Sequence, residues 1–147
     1  MFSIQVIPSG FSKGVIVAGR VEDDDRAMTL DWTEGGLAEG LRRYGAGEFF
    51  AAHENWEEVW LGLEDPEKTF LQSLIQVAVA LHHLQRGNQQ GTKSLLKAAL
   101  RRLDPYPASF GGISVTRLCE ELREWVQALE AGGELSELAF PRIRPEG

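Results

Sequence analysis

The chain has 147 residues, 43% hydrophobic and 25% charged, with a formal net charge of −7. That length supports one ordinary domain with a real core, and the acidic balance argues against a nucleic-acid partner, which calls for a basic face. Cys119 is the only cysteine, so one chain can make neither an intrachain disulfide nor a thiolate metal site.

No run of about 18 apolar residues reads as a membrane span. The opening residues lack the basic flank and long apolar core of a signal peptide. The expectation is a cytoplasmic protein without a membrane partner.

In chain order, residues 1–30 read differently from the rest. Phe2, Ile4 and Val6 alternate with polar residues, and Val15-Ile16-Val17 follows Pro8, Gly10 and Gly14, a pattern of a short β-hairpin or extended arm. The acidic run Glu22-Asp23-Asp24-Asp25 marks its boundary. Residues 31–133 then carry helical signals. Thr33 is placed to cap a first helix with Leu37, Leu41 and Tyr44 on one face, stopped by Gly45 and Gly47. A second helix runs from about Glu48 to Leu61. Asp65-Pro66-Glu67 opens a third, which runs to Arg86 and is closed by Gly87. Asn88 caps a fourth that ends before Asp104-Pro105, and residues 105–112 read as a loop. Ser114 caps a fifth helix from Val115 to about Glu130, stopped by Gly132-Gly133. Residues 134–147 form a C-terminal tail, expected to be loose from Pro141 on. Short loops make successive helices antiparallel neighbours, so the expected fold class is all-α: a compact bundle of about five helices with an extended N-terminal arm.

At 100° per residue, Phe49, Ala52, His53, Trp56, Val59 and Trp60 share one arc of the second helix. Glu57 lies at its margin, one turn from His53, while Glu54 and Glu58 turn toward solvent. The third helix is apolar around most of its circumference, and Gln72, Gln76 and His83 align on one edge; His82 falls elsewhere, beside Leu71 and Ile75. Burying an amide, imidazole or carboxylate without a partner costs about 1–3 kcal/mol or more. These residues should therefore find one another, with His53 and Glu57 facing Gln76 and His83.

The stretch Gly47 to Trp60, with His53-Glu54-Asn55-Trp56-Glu57, is similar to the signature of domain-of-unknown-function family 309 (DUF309). So is Phe70 to His83, followed by Arg86-Gly87-Asn88 and Gly91. The resemblance covers about Leu37 to Leu103, with weaker agreement through Phe110-Gly111 and Leu118, and leaves out residues 1–30. It implies a small all-helical protein and brings no established activity. The matching positions are Glu48, Phe49, His53, Glu54, Trp56, Glu57, Trp60, Gln76, His83, Gly87 and Asn88.

The preferred functional reading is a protein-interaction or structural module, with a protein partner unnamed by the sequence. His53, Glu57, Gln76 and His83 form its buried polar cluster, supported by Glu48, Glu54, Trp56, Trp60 and Gln72. The alternative is a divalent-metal protein or metal-dependent enzyme, with zinc or iron on His53, Glu57 and His83. The pattern is neither His-Glu-x-x-His nor the paired Glu-x-x-His of di-iron bundles. Metal-free acid–base chemistry, with His53 or His83 as base and Glu57 orienting it, is a further reading. No nucleophile accompanies it, since Cys119 sits in an apolar-periodic segment and reads as filling space.

Overall fold

The computed structural model describes residues 30–146. Five helices follow in order: α1 (Gly35–Gly45), α2 (Phe49–Leu61), α3 (Glu67–Gln85), α4 (Gln89–Leu103) and α5 (Val115–Ala131). Each packs on the next, α1 on α2, α2 on α3, α3 on α4 and α4 on α5, as short connections dictate. The protein is an all-α bundle. Among the described residues no helix is long and apolar enough to cross a membrane. The β-hairpin or extended arm expected over residues 1–30 lies, but for Leu30, outside the described residues.

The central helix is α3. Every residue from Thr69 to Leu81 is buried, as its all-round apolar sequence requires when neighbours cover it on two sides. Its first turn is fastened by Asp65, whose carboxylate accepts from the Thr69 amide at 2.8 Å and the Thr69 hydroxyl at 2.5 Å. Asn88 caps α4 by accepting from the Gly91 amide at 2.9 Å, and Ser114 caps α5 by accepting from the Arg117 amide at 3.2 Å. Gly132 ends α5 in the left-handed region that glycine enters without strain. The α5 core stripe, Val115, Leu118, Cys119, Leu122, Trp125 and Val126, has the three- and four-residue spacing of an amphipathic helix.

Three local expectations are corrected. Thr33 does not cap α1: its amide and hydroxyl both donate to Asp31, at 2.9 and 2.5 Å, so its side chain is engaged two residues upstream. The helix instead begins after Glu34, which makes no side-chain cap. The loop over 105–112 is not wholly irregular. Ser109–Phe110 (β1) pairs antiparallel with Ile113–Ser114 (β2) across Gly111-Gly112. Both glycines have positive φ, 60° and 83°, as a tight two-residue hairpin turn demands.

The tail, finally, is held rather than loose. Tyr44 donates its hydroxyl to the Pro141 carbonyl and Trp125 its indole N–H to Ala139 at 2.9 Å. Phe140 packs on Phe49 and Trp125, Ile143 is buried, Pro145 bridges to Ile113, and the Glu146 amide donates to Gly112. A tail with Phe140 and Ile143 has enough apolar surface to dock, which its prolines and charges obscure in the sequence.

Candidate functional site

At the α2–α3 seam stand His53 and Glu57 of α2 and, from α3, His82. His53 is 2% exposed. With a proton on Nδ1, its ring donates to the Phe50 carbonyl one turn back, at 3.1 Å. That bond fixes the ring so that Nε2 faces the Glu57 carboxylate, with Oε1 at 3.8 Å. The separation is beyond a direct hydrogen bond but within ion-pair range. Glu57 keeps 21% of its side chain exposed, so the pair joins a buried imidazole to a carboxylate at the protein surface.

Phe50 extends the group. Its ring lies 4.9 Å from the His53 ring and 5.0 Å from the His82 ring. Burial holds the pKa of His82 below the usual histidine value, and the charges of Arg86, His83 and His53 push it the same way. His82 is the residue missed by sequence reasoning. The helical wheel sets it apart from Gln72, Gln76 and His83, and that side of α3 carries it to the Phe50 of α2.

His83 is half-buried at the C-terminal end of α3, with Nδ1 3.3 Å from the Asn88 amide nitrogen; its backbone carbonyl also accepts from the Asn88 amide at 2.8 Å. It thus joins the α3–α4 turn. Gln72 is fully buried, and with its amide oxygen turned toward α4 it accepts from Arg102 Nη2 at 2.9 Å and Nε at 3.1 Å. Gln76 is 5% exposed, and its amide oxygen has no hydrogen-bond partner among the described residues. The edge shared by these residues in sequence therefore faces α4 through Gln72 and the α3–α4 turn through His83.

The supporting residues divide by environment. Trp56 is fully buried and donates to the Leu37 carbonyl at 3.2 Å, while its ring stacks on Tyr44. Trp60 lies under the Lys68 ammonium, 4.1 Å from the ring centroid, a cation–π contact. Glu48 pairs with Arg43 at 3.0 Å, and Glu54 is exposed. Among the described residues, no group of three or more His, Cys, Asp or Glu side chains is arranged to hold a metal ion, the trio His53, Glu57 and His83 included. Its third member turns to Asn88. Cys119 is buried, which pushes its thiol pKa up, so the group is a poor nucleophile.

An uncharacterized protein of Aquifex aeolicus is 34% identical over 97 residues, or 65% of this chain and 29% of its own length. The uncharacterized protein YpuF of Bacillus subtilis is 30% identical over 99 residues, or 64% of this chain and 56% of its own. The chain thus spans less than two thirds of either relative. Residues 37–95 match the domain of unknown function DUF309, a segment that takes in α1 from Leu37, α2, α3 and the first turns of α4, and with them His53, Glu57, Gln76, His82 and His83. Over this segment the chain is similar to the DUF309 family.

Proposed function

We propose that the protein is a helical interaction module whose outer surface meets other proteins, and whose buried polar side chains Gln72 and Thr92, with His83 at the turn, lock α3 against α4. The observation that carries this reading is how the polar side chains around α3 are used. Gln72 engages Arg102 of α4, Thr92 of α4 donates to the Ala80 carbonyl at 3.0 Å, and His83 meets Asn88. Each such contact specifies one helix placement, because a misplaced helix would leave a buried polar group unmatched. The matched segments of the two relatives are embedded in chains of different length, which suits a reusable module. The lone buried Cys119 suits a reducing, cytoplasmic setting.

The test is a double-mutant cycle on Gln72→Ala and Arg102→Ala, read by urea unfolding. A lock predicts a destabilisation by Gln72→Ala of about 1–3 kcal/mol and a coupling of about 0.5 kcal/mol or more. Additive effects, or no loss of stability, would remove the lock. The module is tested by tagged protein recovered from its own host. A stoichiometric partner should be lost with Leu61→Glu, since Leu61 is the most exposed large apolar side chain described (67%), and kept with His53→Gln.

The alternative, zinc or iron on His53, Glu57 and His83, draws no support from the position of His83 beside Asn88. Bound metal in protein purified without added metal, together with a thermal shift on adding zinc, iron or manganese, would favour it over the lock.

A further inference from the structure

The C-terminal tail crosses the start of α5 and leaves beside it an open cavity of about 190 Å³. Arg117, Arg142 and Arg144 line it, with Ser114 and Glu146. Three guanidinium groups around one small cavity are unexpected on a chain of net charge −7. Arg142 is partly neutralised, its Nε lying 3.7 Å from Glu121. Neither Arg117 nor Arg144 has an ion pair among the described residues. The one carboxylate lining the cavity, Glu146, accepts from the Ser109 hydroxyl at 2.7 Å and leaves three guanidinium groups against its single negative charge.

Position makes Arg117 more telling. It stands in the first turn of α5, which carries no acidic residue. A cation there is opposed by the positive end of the helix dipole, by about 0.3–1 kcal/mol at an exposed site, and an anion in the cavity would reverse that penalty. The helix amides are not the donors in question: those of Val115 and Thr116 donate to Ala108 and that of Arg117 to Ser114. The case rests on the guanidinium groups, whose planar donor forks match phosphate and carboxylate oxygens.

Size narrows the ligand. At about 190 Å³ the cavity is smaller than the ~300 Å³ at which drug-sized pockets begin. We infer that Arg117, Arg142 and Arg144 form a binding site for a small free oxyanion of the phosphate class, such as inorganic phosphate, pyrophosphate or the phosphate end of a small metabolite.

The same arginines would also attract a carboxylate supplied by the chain, and the acidic run Glu22 to Asp25 is the candidate to be distinguished. Pyrophosphate is titrated calorimetrically into the full chain at low salt. Saturable one-to-one binding is expected. Arg117→Gln and Arg144→Gln should each weaken it about tenfold, with unfolding midpoints unchanged because both side chains are exposed. Arg101→Gln, exposed on α4, should leave it unaltered. A variant with residues 22–25 changed to amides should bind pyrophosphate as the parent does. Absence of saturable binding, or equal weakening by Arg101→Gln, would overturn the site. Markedly tighter binding by the amide variant would assign the arginines to the chain's own acidic run and overturn the free-anion proposal.

Discussion

Gly40 lies directly against the indole of Trp56. A Cβ at position 40 would come 2.2 Å from Nε1 and 2.4 Å from Cδ1 of that fully buried ring, and one turn earlier a Cβ on Gly36 would meet Val59 at 2.7 Å. The two glycines let α1 approach α2 closely enough for Trp56 to donate to the Leu37 carbonyl. Gly40→Ala should therefore destabilise the protein by about 1–3 kcal/mol, the usual penalty of overpacking. Gly45→Ala, where nothing lies within 4 Å of the new Cβ, should be neutral or stabilising by about 0.4–1 kcal/mol. Urea midpoints of the two variants give the comparison, and equal effects would contradict the close approach.

Acid should weaken the fold through His82. Its pKa in the folded protein is depressed, so as pH falls the unfolded chain, with an ordinary histidine value of about 6.5, takes up the proton first. The contribution is harmless above the unfolded pKa and turns into lost stability as pH drops through it toward the folded value. His82→Asn should flatten that part of the stability–pH curve. Unfolding free energies measured across this range in parent and variant would show it, and parallel curves would rule His82 out as the cause.

The tail should be integral to stability. Ile143 is 5% exposed, and Ile143→Ala should cost about 2–5 kcal/mol if the surrounding segment cannot collapse into the gap. Trp125, whose N–H is held by Ala139 and whose ring stacks on Phe140, supplies a second readout. Its fluorescence should shift toward that of solvated indole when residues 134–147 are removed. An unshifted spectrum and an unchanged melting temperature would mean that the tail does not dock.

Cys119 should resist thiol reagents in the native state and react quickly once the protein is unfolded. Burial both shields the sulfur and raises its pKa, only partly offset by Arg123. Rapid native-state labelling at neutral pH would contradict this.

Helix boundaries were legible in the sequence wherever one residue type does one local job. Asn88, Ser114 and Gly132 mark ends because a cap oxygen or a left-handed residue is needed there whatever lies around it. Thr33 misled because Asp31, two residues upstream, competes for the same hydroxyl, and local competition of this kind is invisible to a pattern that scores each residue alone. The glycines at 36 and 40 carry no message until Trp56 is seen across the interface.

The polar cluster was legible in part. Periodicity picked out His53, Glu57, Gln72 and Gln76 as polar residues on buried faces and set Glu54 and Glu58 outside, because rotation about one helix axis decides that. Which neighbouring helix each residue meets depends on packing between helices, which no single wheel contains. So Gln72 meets Arg102, His83 meets Asn88, and the ring that reaches Phe50 alongside His53 is that of His82.

The Gly111-Gly112 turn has a topological consequence. Leu30 and Trp32 come to it from the start of the described chain, with the Trp32 indole donating to the Gly111 carbonyl at 2.8 Å, and Glu146 comes to it from the end, donating to Gly112. The backbone from 30 to 146 is therefore almost a closed ring. A short linker could join its ends, with new termini opened at Gly132-Gly133, where added Cβ atoms would meet nothing, and such a permuted chain should keep the same helix packing.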